Sequence, residues 1–408
     1  MSALLKAKAS DQPEVLAKLR HEIDQVDTNL VALLKKRAEL VFAVGDYKRE
    51  RQLPIFDPSR ESLIRDRIRS LALPGETLSP NELESLFMAL VERYRFFEGP
   101  HVQRTQATSL FNDSHITFNK PQRVVLWGFG LMGASFYLGL NQVLPHWKFE
   151  VVDPVLDRTS FANWVAQKNV SNIELISPTA MHQATIYILA ASVEQNEHHL
   201  HEYSFPEDSL VFDLGSTKSS TESIFNQRQK RGKTPFIYVG GHPLAGKETN
   251  GFENADTMLF YNKVFCWTVP ENQPINRKVK ATCDTLSMCL GAKPFWTTAA
   301  DHDQALAWTS HLPQIISSTL ATCLSEKDFS EKPELFPGSV SELLRLSGSS
   351  VSMWKPIIKS NNGPLKKALQ EIIERLTFIK NQLDKPTETD GLFSKANSFY
   401  KKFNLLKK

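Results

Sequence analysis

The chain has 408 residues, a length that suits two or three domains, and its 41% hydrophobic and 23% charged residues supply enough material for large cores. A formal net charge of +3 gives no case for nucleic acid or an acidic membrane surface as partner. The four cysteines (Cys266, Cys283, Cys289, Cys323) form no CxxC pair, residues 1–14 hold no long apolar run, and no apolar run reaches about 18 residues; a cytoplasmic protein is expected, without disulfides, metal site, signal peptide or membrane span.

Residues 1–12 read as a tail. Leu16, Leu19, Ile23, Val26, Leu30, Leu33, Leu40 and Val44 then follow alternating steps of three and four, with no Gly or Pro until Gly45. That pattern predicts a helix of about 30 residues or more, packed along one face on other helices. Arg37 falls in the same register. A buried cation is costly unless an anion meets it, so Arg37 has an internal acidic partner, a guanidinium that reaches outward, or a ligand. Arg20 flanks the stripe and Lys48 closes the helix on a nearby face. Several cations on one apolar face point to a dianionic ligand. A second helix is expected after Pro54, to about Leu71. A third is expected from about Pro80 to Phe97, with Ser79 as its N-cap.

Over about residues 14–98, Leu19-Arg20-His21-Glu22-Ile23-Asp24, Leu33-Leu34-Lys35-Lys36-Arg37, Val44-Gly45-Asp46-Tyr47-Lys48 and Pro58-Ser59-Arg60-Glu61 resemble the all-helical chorismate mutases. The resemblance implies three helices in an intertwined dimer. Arg20, Arg37 and Lys48 would bind the two carboxylates and the ether oxygen of chorismate. Asp57 and Arg60 would support the site, Glu61 would bind the substrate hydroxyl, and Glu98 would lie near the ether oxygen. Rearrangement of chorismate to prephenate needs no nucleophile or metal. The protein must hold a compact conformer and stabilise charge on the ether oxygen, which fixed cations can do.

Residues 99–120, with Gly99-Pro100 and Asn119-Lys120, are expected to be a linker with little core of its own. A nucleotide-binding domain is expected over 121–275. Val124-Val125-Leu126-Trp127 runs into Gly128-Phe129-Gly130-Leu131-Met132-Gly133, a Gly-x-Gly-x-x-Gly loop poised to open a helix. Twenty residues past Gly133, the apolar run from Phe149 ends in Asp153. Gly128 permits the tight turn, Gly130 lets backbone approach a pyrophosphate, and Gly133 lets helix pack on strand. Asp153 can accept from ribose hydroxyls, which favours NAD over NADP, although Arg158 lies nearby. Runs at 186–191, 210–214 and 236–241, separated by helical stretches, predict a parallel doubly wound sheet with its ligand at the C-terminal strand ends. Asp213-Leu214-Gly215-Ser216-Thr217-Lys218 and Gly240-Gly241-His242-Pro243 sit at such ends, and His242 is expected on a constrained turn. His198, His199 and His201 fall in a polar stretch and are expected to be solvated.

Gly-Gly-His-Pro-Leu-Ala-Gly-x-Glu over 240–248, with the glycine loop and the Asp-x-Gly-Ser-x-Lys motif, resembles the prephenate and arogenate dehydrogenases over about residues 122–360. The resemblance implies that His242 accepts the proton of the substrate's ring hydroxyl, Ser216 hydrogen-bonds that hydroxyl, and Glu248 gates the pocket. Ser310-His311-Leu312-Pro313 is similar to a family segment that would put His311 at the site. Leu344-Arg345-Leu346-Ser347 is similar to one that supplies a carboxylate-binding arginine, Arg345. Ser192 and Ser341-Glu342 depart from the family pattern, which has proline and Arg-Asp at those places. His302 and His311, nine residues apart on one helix, would not share a face, and Pro313 would kink that helix.

The expected architecture is an all-α chorismate mutase domain (11–98), an α/β Rossmann-like doubly wound domain (121–275) and an all-α dimerisation domain (276–408). Together the resemblances imply a bifunctional homodimeric enzyme of tyrosine biosynthesis. It would convert chorismate to prephenate, then oxidise prephenate with NAD. An arogenate-preferring dehydrogenase, or a non-catalytic helical module ahead of the dehydrogenase, are the alternatives.

Overall fold

The computed structural model describes residues 12–51, 58–71, 77–91, 114–180, 182–232, 234–247, 249–271, 273, 275–327, 335–384 and 386–406. It divides into an N-terminal helical unit and a larger second unit that begins near Phe111.

In the N-terminal unit the apolar stripe forms one helix, α1 (Gln12–Glu50, 39 residues), which runs through Gly45 without a break. Helix α2 is Pro58–Leu71, and α3 spans 80–91. Ser79 caps α3 reciprocally: its hydroxyl accepts the Glu82 N–H at 3.3 Å, and Glu82 accepts the Ser79 N–H at 2.8 Å. Arg65 and Arg69 of α2 both reach Glu84 of α3. Ile68 and Val91 are buried, yet most of the α1 stripe is not: Ile23, Val26, Leu33 and Leu40 are 59–65% exposed. The face expected to pack on other helices is thus left largely open in a single chain.

The second unit is built on an eight-stranded sheet of order β3-β2-β1-β4-β5-β6-β7-β8. The strands are β1 (Arg123–Trp127), β2 (Lys148–Val152), β3 (Ile173–Leu175), β4 (Ile186–Leu189), β5 (Leu210–Asp213), β6 (Ile237–Pro243), β7 (Val264–Thr268) and β8 (Lys293–Thr297). Helices α4 (Leu131–Asn141), α5 (Arg158–Lys168), α6 (Val193–Glu202) and α7 (Ser219–Lys230) connect them. Val124, Val125 and Leu126 are wholly buried, as a strand covered on both faces requires. An aromatic core of Trp127, Tyr187, Phe205, Phe225, Phe236 and Tyr238 fills one side.

Three expectations need correction. The sheet is not all parallel, because β6 and β7 run antiparallel. The chain does not turn purely helical at 276: after α8 (Arg277–Cys289), β8 returns to pair in parallel with β7, so the sheet ends at Thr297. The last part of the presumed linker also has core of its own. Phe118 is fully buried against Trp147, with ring centroids 5.3 Å apart, and its carbonyl accepts the Trp147 indole N–H at 3.2 Å.

From Ala299 the described chain is helical: α9 (Ala299–Leu306), a π turn (Ala307–His311), α10 (Leu312–Ser325), α11 (Gly338–Leu344), a 3-10 turn (Arg345–Gly348), α12 (Val351–Ser360), α13 (Asn362–Gln382) and α14 (Pro386–Leu406). Pro313 sits in the first turn of α10, directly after the π turn, where the local change of winding accommodates a residue without an N–H. Among the described residues no helix is long and apolar enough to cross a membrane.

Candidate active site

A cavity of about 660 Å³ opens at the C-terminal strand ends of the second unit. Its walls come from the β1–α4 loop, the end of β2, the start of α6, Ser216, the end of β6 with the segment after it, and Ser352 and Met353 of α12.

Gly128 has φ +94°, and a Cβ there would lie 2.7 Å from the Ala191 nitrogen. A Cβ on Gly133 would collide with the Gly128 carbonyl, whereas one on Gly130 would meet nothing within 4 Å. The roles of Gly128 and Gly133 are therefore steric, and Gly130 leaves open space for a ligand. Gly130, Leu131 and Met132 line the cavity, and α4 begins there with no side-chain cap, so its positive end faces an incoming anion. Phe129 plays a different part. Its ring is buried between Phe161 and Trp164, and its N–H donates to Asp153 Oδ2 at 2.9 Å. Asp153 Oδ1 accepts the Val155 N–H at 3.2 Å. Each carboxylate oxygen keeps a further lone pair for a ribose hydroxyl.

His242 lines the cavity from β6, paired opposite Cys266 of β7, and so sits on a strand rather than the expected turn. Beneath it lies a buried ion pair between Lys218 and Asp213. Lys218 Nζ also donates to the Gly241 carbonyl at 2.6 Å, and the Tyr238 hydroxyl donates to Asp213 Oδ2 at 2.7 Å. This network ties the loop that carries Ser216 to the strand that carries His242. Burial, then the neighbouring His302, Lys218 and His311, push the His242 pKa well below its ordinary value.

Sequence reasoning missed what stands behind His242. Its Nδ1 lies 2.9 Å from Nε2 of His302, and His302 Nδ1 lies 2.8 Å from Asp303 Oδ1. His302 and Asp303 are each 2% exposed. Asp303 also accepts the backbone N–H groups of Lys218 and Ser219, both at 2.8 Å. The π turn changes the helical phase after α9. His311 is buried, its Nδ1 2.9 Å from the Asn361 amide nitrogen, and burial lowers its pKa to about 4.

His199 also departs from expectation. Its ring stacks on Trp127, centroids 4.6 Å apart and 9° from parallel, and it lines the cavity beside His198. Arg345 is exposed on the 3-10 turn and is not among the residues that line the cavity. Glu248 lies outside the described residues.

In the N-terminal unit Arg20 and Arg60 are exposed, Arg37 and Lys48 are partly buried, and Glu61 lies on α2; Asp57 and Glu98 lie outside the described residues. The Arg37 guanidinium sits over the Phe87 ring of α3, 5.5 Å from its centroid, a cation–π partner that was not among those the sequence suggested for it.

A glycine loop, an acid at the end of β2 and an enclosed histidine on one cavity, in a mostly parallel sheet, fit a nucleotide-dependent dehydrogenase with a helical module ahead of it. The comparisons with known proteins divide the chain in the same way. "Chorismate mutase type II" matches residues 19–98, the prephenate dehydrogenase nucleotide-binding domain matches 160–292, and the prephenate dehydrogenase dimerization domain matches 298–395. A chorismate mutase of Methanocaldococcus jannaschii is 32% identical over 93 residues, 23% of this chain and 93% of that protein. The T-protein of Haemophilus influenzae is 23% identical over 386 residues, 90% of this chain and 88% of that one. The fold is shared with a prephenate dehydrogenase from A. aeolicus solved with hydroxyphenyl propionate and NAD+ (TM-score 0.58, 21% identity, 70% of this chain and 98% of that one). The chain belongs to the bifunctional chorismate mutase/prephenate dehydrogenase family and is an enzyme with a mutase part and a dehydrogenase part.

Proposed function

We propose that this chain carries out two consecutive steps of tyrosine biosynthesis: chorismate to prephenate in the N-terminal helices, then oxidative decarboxylation of prephenate to 4-hydroxyphenylpyruvate at the sheet cavity. The observation that carries the second step is one cavity lined by Gly130, Asp153, Ser216 and His242. Bound NAD supplies the hydride acceptor. The cavity's own residues fit that cofactor: Gly130 leaves room for the pyrophosphate, the bare start of α4 attracts it, and the Asp153 carboxylate suits ribose hydroxyls but repels a 2′-phosphate. His242, with its pKa held well below the ordinary value, is neutral near pH 7 and takes the proton of the ring hydroxyl. Ser216 orients that hydroxyl, Glu248 is assigned the gate of the pocket, and His311, buried and off the cavity wall, is assigned a supporting place near His242. Loss of CO₂ then aromatises the ring. Arg345 is assigned a substrate carboxylate, a role that its exposed position in one chain leaves to a movement of its turn or to a second copy.

For the mutase, one helix cannot supply every cation to one site. Arg20 and Arg37 are 17 positions apart on an unbroken helix, about 26 Å at 1.5 Å per residue. A site for chorismate therefore takes Arg20 from one subunit and Arg37 and Lys48 from the other, with Asp57, Arg60, Glu61 and Glu98 around them. The exposed α1 stripe supports the same homodimer. We assign the mutase to 11–98, the nucleotide domain to 121–297, through the last strand of the sheet, and the dimerisation domain to the helical remainder from 298, in a cytoplasmic enzyme. Mass detection of products from chorismate, with and without NAD, tests the whole reading. Prephenate alone without NAD and 4-hydroxyphenylpyruvate with it are expected; failure of either product removes the corresponding half.

A further inference from the structure

We infer that Asp303 and His302 are positioning residues that fix the tautomer of His242 and leave its Nε2 bare toward the substrate. This deepens the assignment of His242 as the base and rests on it.

The argument starts at the buried end. Burial raises the Asp303 carboxyl, yet hydrogen bonds from His302, Ser219 and Lys218 outweigh it, and its pKa lies below the ordinary value. Asp303 is therefore ionised near neutral pH and can only accept. Its two backbone donors come from the start of α7, which fixes the carboxylate relative to the loop of Ser216. The ring nitrogen 2.8 Å from Asp303, Nδ1 of His302, must then carry the hydrogen. In the neutral imidazole the other nitrogen, Nε2, is bare, so it can only accept. The group 2.9 Å from it, Nδ1 of His242, must donate. His242 is thereby left with its lone pair on Nε2, the nitrogen not engaged behind the strand.

The consequence is chemical. A histidine whose Nε2 already bore hydrogen could not take the hydroxyl proton. The relay removes that tautomer before substrate arrives. When the proton of the hydroxyl passes to Nε2, His242 becomes an imidazolium whose Nδ1–H still has the His302 acceptor to meet. The cationic groups around His242 are Lys218, His302 when protonated, and His311 when protonated; the anionic ones beyond them are Asp303 and the Asp213 paired to Lys218.

Asp303→Asn tests the relay in the full-length enzyme. An amide can donate to His302 Nδ1, which reverses both tautomers. Turnover of prephenate should fall on the order of 10²–10⁴, with KM much less affected; the same reversal costs about 10⁴ in a serine protease triad. His302→Gln keeps an acceptor toward His242 and should stay within about tenfold of the parent, whereas His302→Leu should fall with Asp303→Asn. Mutase activity and NAD binding by calorimetry report that each variant is folded. Histidine ¹⁵N NMR should show His242 hydrogen moving from Nδ1 to Nε2 in Asp303→Asn. If that tautomer stays unchanged while turnover is lost, or if Asp303→Asn turns over like the parent while His242→Asn does not, the relay is wrong. If His242→Asn itself keeps full turnover, the assignment of the base fails first.

Discussion

The length of α1 makes a quantitative prediction about who owns the mutase site. Arg20→Ala and Arg37→Ala should each abolish the mutase alone, since losing one fixed donor to developing charge costs about 10²–10³ in rate. Dehydrogenase activity on supplied prephenate should remain near that of the parent in both. Because the two arginines lie about 26 Å apart along one rigid helix, a heterodimer of the two variants rebuilds one site completely and leaves its twin with neither arginine. Random pairing of equal amounts makes half of all dimers mixed, so the pool should recover about one quarter of parental mutase activity. Co-expression of differently tagged variants, tandem purification and a chorismate-loss assay measure it; the doubly tagged fraction alone should reach about one half. A doubly tagged fraction as inactive as its parents would refute the shared site. Equal loss of both activities in Arg37→Ala alone would show that Arg37 holds the fold together.

Asp153→Ala should weaken NAD binding by the 1.5–3 kcal/mol typical of a charged hydrogen bond, roughly 10–150-fold, and narrow the gap to NADP; an unchanged Kd by calorimetry would remove the acid from the ribose. His242→Asn should cut dehydrogenase kcat by about 10²–10⁴. Because the parental pKa is held well below its ordinary value, kcat/KM should rise with pH through a limb below about 6.5, and that limb should vanish in the variant. His311 binds its proton in the unfolded chain near pH 6.5 and in the fold only at about 4, so its contribution to stability is full above 6.5 and lost as pH falls toward 4; thermal melts of His311→Gln should show a shallower decline across that window. Phe118→Ala should destabilise the second unit by about 3–5 kcal/mol in denaturant titrations, whereas a residue in a true linker would change nothing.

What could be read from the sequence was mostly local. The Gly128–Gly133 loop declares itself because its turn, cradle and helix start are consecutive in the chain. His242 was visible as a residue but misplaced in structure, since Gly-Gly-His-Pro reads as a turn. The glycines serve another purpose: a Cβ on Gly240 would strike Thr268, and one on Gly241 would come within 2.6 Å of the Asp213 carbonyl. They let strands approach closely rather than bend. Strand β8, Lys-Pro-Phe-Trp-Thr, was hidden by Pro294, which an edge strand tolerates. The His302–Asp303 dyad was beyond reach because its contact with His242 joins positions 60 residues apart, and the π turn that helps place its helix has no recognisable pattern. His199 looked solvated because its polar neighbours conceal a ring that stacks on Trp127.

The two hydrogen bonds of Asp153 have a consequence for how cofactor choice can change. The carboxylate that would discriminate between cofactors also anchors the Phe129 amide inside the glycine loop and the Val155 amide beyond it. Selectivity and loop order are therefore not separable traits. A lineage or an engineer moving toward NADP by removing this acid alone would free two amides and slacken the loop that must grip either cofactor, so the change becomes tolerable only when a second residue first takes over those two donors. Asparagine discards the charge but keeps an acceptor for only one of the two amides, so by itself it eases that constraint without lifting it.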